Sequence, residues 1–148
     1  MSLPPPRLYN PYTDKQLLPE IAQIHSECIT YDHQLATFLP PLSHTRMLDY
    51  WLSLSEDIEK SRTALILQFA AEDEAEVAGY VCLMMPATET GPFRGEVNKL
   101  MVSPKHRRKG VARRVMEKLE NVARERGRDL LVSAPAPLSQ RPETRIVR

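Results

Sequence analysis

The segment that most restricts the fold runs over residues 96–127. Glu96-Val97-Asn98-Lys99-Leu100-Met101-Val102 has strand length and is ended by Ser103-Pro104. After a short basic turn, residues 109–126 repeat Val111, Val115, Leu119 and Val122 at helical spacing, and Ala112, Met116 and Ala123 widen that stripe. Arg113, Arg114, Glu117, Lys118, Glu120, Arg124 and Glu125 occupy the other face. Gly127 is a helix stop, because glycine takes the left-handed conformation at a C-terminus without a Cβ clash. The order is therefore strand, basic turn, amphipathic helix, followed by another strand from Leu130.

The chain before this unit reads as two helices and two strands. Residues 4–11 are proline-rich and predict an extended lead-in or short edge strand. Thr13 and Gln16 have the spacing of a reciprocal cap, ahead of Leu17, Leu18, Ile21, Ile24, Cys28 and Ile29 at helical spacing. Pro19 inside that pattern moves the expected start to just before itself. Pro40-Pro41 breaks the chain, and Ser43 is placed to cap a second helix with Met47, Leu48, Trp51, Leu52 and Leu54. Residues 63–69 and 77–85 are apolar runs of strand length, joined by the acidic stretch Glu72-Asp73-Glu74-Ala75-Glu76. After Ser133 the periodicity stops. Residues 1–133 are expected to form the domain, and residues 134–148, with three prolines, an irregular or disordered tail.

Charge and composition narrow the function. The formal net charge is +1, which gives the molecule no general attraction for nucleic acid or an acidic membrane. No apolar run approaches the roughly 18 residues a membrane span needs, and the start of the chain lacks a signal-peptide core. Cys28 and Cys82 are the only cysteines, so a disulfide framework is not expected and a cytoplasmic location is. His25, His33, His44 and His106 have no metal-ligand spacing, and no metal site is expected; the first three read as surface or cap residues.

The basic turn carries the chemistry. A helix N-terminus leaves backbone N–H groups without intrahelical acceptors, and its partial positive charge favours a phosphate. Gly110 has no side chain to keep a phosphate from the backbone, and Ala112 is nearly as small. Arg107, Arg108 and Lys109 add attraction for a diphosphate, and His106 sits in the same turn. On this turn alone, a solvated basic helix start and a nucleic-acid patch stay open. The scarcity of aromatic residues near it argues against the latter.

With its flanks, the segment resembles the Gcn5-related N-acetyltransferases (GNAT). Arg107-Arg108-Lys109-Gly110-Val111-Ala112 fits the family's R/Q-x-x-G-x-G/A signature, Leu100-Met101-Val102 its L-x-V strand ending, and Ala78-Gly79-Tyr80-Val81 the strand before. The resemblance implies a mixed, mainly antiparallel sheet flanked by helices, in an α/β fold. It implies acetyl-CoA as co-substrate and transfer of the acetyl group to a primary amine of a small molecule or an amino terminus. Met101 and Val102 would offer backbone groups to the pantetheine arm. Amides from Arg108, Lys109, Gly110, Val111 and Ala112 would hold the pyrophosphate, with Arg107 shaping the loop and Arg113 within reach of a phosphate. The strand bearing Met101 would splay from the one starting at Leu130, leaving a gap for the acyl chain. Glu96 is the candidate general base, Asn98 a possible ligand for water or substrate, and Tyr50 and Trp51 an aromatic wall or simply core.

One departure stands out. The family usually continues after the Leu130 strand with a helix, commonly bearing a tyrosine that protonates the leaving thiolate, and two more strands. The last tyrosine in this chain is Tyr80. The C-terminal helix and last strands are expected to be missing or atypical, as in a truncated version of the fold. The Leu130 strand would then expose an edge open to self-association. The alternative function is accordingly a catalytically impaired CoA-binding or interaction fragment.

Overall fold

Strand β2, Thr63–Phe69, is buried along its whole length, and the sheet is built outward from it. The computed structural model describes residues 3–32, 43–86, 93–133 and 144–146. Its elements are β1 (Arg7–Leu8), α1 (Leu18–Asp32), α2 (His44–Glu59), β2, β3 (Val77–Met84), β4 (Arg94–Val102), α3 (Val111–Glu125), β5 (Leu130–Ser133) and β6 (Thr144–Ile146). The strands form one six-stranded sheet in chain order. Every neighbouring pair is antiparallel except β4 and β5. That pair is parallel because α3 carries the chain back across the sheet before β5 begins.

Helices cover both faces, which is why β2 and β3 read as unbroken apolar runs rather than alternating ones. Leu65, Leu67, Phe69, Tyr80, Cys82 and Met101 pack with Ile21, Cys28, Met47 and Trp51 of α1 and α2. Ala64, Ile66, Val81 and Leu83 face the opposite way, onto Val115, Leu119 and Val122 of α3. The mixed, mainly antiparallel sheet with flanking helices expected from the sequence is the observed architecture.

Two irregularities in β4 matter for function. Tyr80 pairs with Met101, but Cys82 pairs with Asn98, so β4 carries one extra residue there. Lys99 within this bulge is left-handed, with φ of 54°. The second irregularity is where β5 stops. Pairing runs from Arg94–Leu130 to Val97–Ser133, while β4 continues to Val102. Among the described residues, the last five positions of β4 thus have no partner on the β5 side.

Local expectations fare unevenly. Ser43 caps α2, its side chain accepting from Arg46 N at 3.3 Å. Helix α1 begins at Leu18, so Pro19 falls in the first turn, where its missing N–H costs nothing. The Thr13–Gln16 cap does not form. Asp14 occupies that corner instead, accepting from Asn10 N at 2.8 Å and Arg7 Nη1 at 2.7 Å, and a 3-10 turn at Lys15–Leu17 leads into α1. Within the stretch expected to be irregular, Thr144–Ile146 pairs antiparallel with β5. The edge expected to be open on β5 therefore has a neighbour.

Candidate active site

The turn after β4 is shaped by two residues with positive φ. Ser103 Oγ accepts from Lys105 N at 3.4 Å and starts a 3-10 turn over Pro104–His106. Arg108 (φ 63°) and Gly110 (φ 78°) then reverse the chain into α3. Left-handed residues interleaved with ordinary ones aim successive amides at one concavity, which suits an anion. The first intrahelical bond runs from Arg114 N to Gly110 O at 3.1 Å. The amides of Val111, Ala112 and Arg113 precede it and have no acceptor within the helix. No acidic residue stands in the first turn of α3 to compete with an anionic ligand.

These amides border an open cavity of about 360 Å³. Val102, Arg107, Arg108, Gly110, Val111 and Ala112 line it, together with Cys28, Leu100 and His106. A Cβ built on Gly110 meets nothing within 4 Å, so a ligand can approach that backbone. Arg107 braces the turn from below. Its Nε donates to the Val102 carbonyl at 3.0 Å, and its guanidinium lies 5.4 Å from the Tyr31 ring.

Backbone direction on β4 distinguishes two neighbouring candidates. Ser103 N donates to Ala78 O at 2.9 Å. Bonded and non-bonded pairs alternate in an antiparallel ladder, so Met101 bonds to Tyr80, whereas Val102 opposite Gly79 turns its backbone groups outward. The Val102 carbonyl is already engaged by Arg107 and by Cys28 Sγ at 3.3 Å, which leaves its N–H as the outward group. Met101, expected to contribute backbone groups, faces β3 and buries its side chain in the core.

His106 and Lys109 form a chain with Glu76. Lys109 Nζ stands 3.0 Å from His106 Nδ1, and His106 Nε2 stands 3.0 Å from Glu76 Oε1. A lysine ammonium only donates, so Nδ1 accepts and the ring proton lies on Nε2, facing the carboxylate. Lys109 is thereby held at the edge of the cavity. Arg113 points elsewhere: it is exposed on α3 and pairs with Glu117 at 3.0 Å.

The structure separates Glu96 from this cavity. Glu96 lines a different hollow of about 550 Å³ with Asp57, Arg62, Thr63, Met84, Met85 and Pro86, and its Oε1 lies 3.3 Å from Arg94 Nη2. Their partners on β3, Met84 and Gly79, are five residues apart, which at about 3.3 Å each puts its backbone about 17 Å along β4 from Val102. Glu96 is on the α1/α2 face of the sheet, since it pairs with Met84, whose sulfur contacts Thr63 Oγ1 on that face at 3.4 Å.

Between the two hollows lies a cluster not foreseen from the sequence. Lys99 Nζ sits 5.6 Å from the centroid of the Tyr50 ring. Burial lowers the lysine pKa, with a smaller opposing effect from Cys82. Burial also pushes the Tyr50 hydroxyl up to about 12. His25, expected at the surface, is 1% exposed and accepts from Trp51 Nε1 at 3.2 Å through Nδ1. Burial, and secondarily the charge of Lys99, lowers its pKa to about 4, so the ring is neutral. Trp51 is wholly buried against Tyr80, with ring centroids 5.2 Å apart, which makes it core; Tyr50 alone of the aromatic pair borders β4. His33 lies outside the described residues. Among the described residues no helix is long and apolar enough to cross a membrane.

Comparison with known proteins agrees with this geometry. The chain superposes on YncA from Salmonella typhimurium, solved with its cofactor acetyl-CoA, with a TM-score of 0.68 and 18% identity, covering 90% of this chain and 69% of that one. Ribosomal-protein-alanine N-acetyltransferase from Brucella melitensis gives 0.66 at 21% identity, covering 86% and 72%. PaiA N-acetyltransferase from Thermoplasma acidophilum, in complex with coenzyme A, gives 0.62 at 16% identity, covering 93% and 82%. No functionally curated protein sequence matches significantly. The sequence profile of the Acetyltransferase (GNAT) family matches residues 19–137. The chain belongs to the GNAT family of acetyltransferases.

Proposed function

We propose that this protein is an N-acetyltransferase that takes its acetyl group from acetyl-CoA and passes it to a primary amine of a small molecule or an amino terminus. One observation carries the reading. The amides at the head of α3 and the outward N–H of Val102 border one cavity, beside the end of β4, which among the described residues has no partner on the β5 side. The diphosphate would sit on the amides of Arg108 to Ala112, with Lys109 and Arg108 supplying charge. The pantetheine arm would follow β4 toward the bulge, completing the ladder that β5 leaves open.

Acyl transfer from a thioester needs a neutral amine, a group to receive its proton, and donors for the developing oxyanion. A β4 backbone N–H that turns away from β3 can supply the donor. Glu96, on the same strand three residues before Lys99, can serve as base, directly or through ordered water. It shares the α1/α2 face with Lys99 and Tyr50, which supports an acceptor approaching from that face. Binding without turnover is the second reading. It is favoured by the separation of Glu96 from the cavity bordered by the α3 amides.

Calorimetry with CoA and a thiol-release assay with acetyl-CoA over an amine panel separate the two. The first reading predicts binding and thiol release, both lost in Gly110→Trp. Binding without release on any amine would establish the second. Unchanged CoA affinity in Gly110→Trp would reject the cradle itself.

A further inference from the structure

The extra residue in β4 presents a lysine at the level of the sheet where β5 ends. Lys99 lies two positions beyond the last β4–β5 pair, Val97–Ser133, and three before Val102. The bulge faces Val81 and Val102 faces Gly79, so at about 3.3 Å per residue Lys99 is about 7 Å along the strand from Val102. A pantetheine arm anchored at the diphosphate and running along β4 brings its thioester to this level. The Lys99 stem starts from the part of β4 that has no described partner on the β5 side, and its amine rests against Tyr50 of α2. We propose that Lys99 is a self-acetylation site, its Nζ accepting the acetyl group from acetyl-CoA bound to the same molecule. This inference rests on the cofactor reading above.

The chemistry balances without any further reagent. Neutral Nζ attacks the thioester carbonyl carbon and a C–N bond forms. The tetrahedral intermediate collapses with cleavage of the C–S bond. The proton lost by nitrogen ends on the departing CoA sulfur, leaving an N-acetyl amide on Lys99 and free thiol. Local electrostatics favour the neutral amine this step requires. Burial lowers the pKa of Lys99, and three of the groups near it, His25, Tyr50 and Cys82, are uncharged near neutral pH. Exposed lysines such as Lys15 and Lys60 lie outside this setting.

The test is a time course with isotope-labelled acetyl-CoA on the full chain, read by tryptic mass spectrometry. Acetylation of Lys99 blocks cleavage there and leaves residues 95–105 as one labelled peptide. Lys99 is expected to gain label at least tenfold faster than Lys15 and Lys60, at a rate independent of protein concentration. Gly110→Trp, or Ala112→Glu should the first variant fold poorly, is expected to reduce Lys99 labelling to the surface rate. Label on Lys99 no faster than on Lys60, in a chain that binds CoA by calorimetry, would overturn the self-acetylation proposal and leave the cofactor reading intact. A labelling rate that rises with protein concentration would overturn transfer within one molecule. Absence of CoA binding would overturn both readings.

Discussion

Gly110 and His25 show how differently single residues reveal themselves. Gly110 is left-handed, and its role follows from a local pattern: basic turn, glycine, amphipathic helix. Such a pattern is visible in sequence because every part lies within a few residues. His25 lies four residues after Ile21 and three before Cys28, so helical spacing alone puts it on the buried stripe of α1, against the usual surface preference of histidine. Its partner Trp51, 26 positions away, is what no local pattern could reveal. Lys99 was hidden for a related reason, since a bulge is a property of two paired strands rather than one. Buried neutral, His25 has a testable signature. Its pKa in the fold is about 4, against about 6.5 unfolded, so between those values the unfolded chain binds more protons. Stability contributed by the neutral ring is present above pH 6.5 and lost as pH falls toward 4, a contribution on the order of 3 kcal/mol. Urea unfolding of the wild type should show that decline. His25→Asn, which keeps an acceptor for Trp51, should be less stable at pH 7 but flatter across this interval. Equal slopes in the two proteins would mean that His25 does not report the titration.

At the scale of elements, strong periodicity was legible and pairing was not. The stripe Val115–Leu119–Val122 identified α3, and the runs of β2 and β3 identified strands buried on both faces. The three-residue β6 had no period to show, and residues around it are proline-rich, so only its contact with β5 makes it a strand. The expected Thr13–Gln16 cap lost to Asp14, which gains two stronger partners in Arg7 and the Asn10 amide. Sheet and cradle are coupled at Gly79. A Cβ there would lie 2.6 Å from Val111 Cγ1 and 2.8 Å from the Met101 carbonyl oxygen. Gly79→Ala must therefore push the start of α3 away from β4. It should cost about 1–3 kcal/mol, as overpacking does, and lower Tm accordingly. Because Val111 carries one of the cradle amides, the same variant should also bind CoA several-fold more weakly. A loss of Tm with no change in affinity would show that the helix head tolerates the displacement.

The whole molecule divides its labour between the two faces and two ends of one sheet. The cradle stands at the C-terminal end of β4, where α3 begins, and the Glu96 hollow toward its start. The bulge with Lys99 and Tyr50 lies between them. The family signature made the cradle readable because that half of the site is contiguous in sequence. The cluster of His25, Tyr50 and Lys99 is assembled from α1, α2 and β4, so its composition emerged only from the tertiary arrangement. It also showed that Met101 and Arg113 turn away from the cavity, while Leu100 and Cys28 join it. If the backbone amides at the head of α3 receive the diphosphate, titrating the ¹⁵N-labelled chain with CoA should move their chemical shifts. The largest saturating changes are expected on Arg108, Gly110, Val111, Ala112 and the outward amide of Val102. Saturable binding that leaves those resonances unmoved would contradict that placement of the diphosphate.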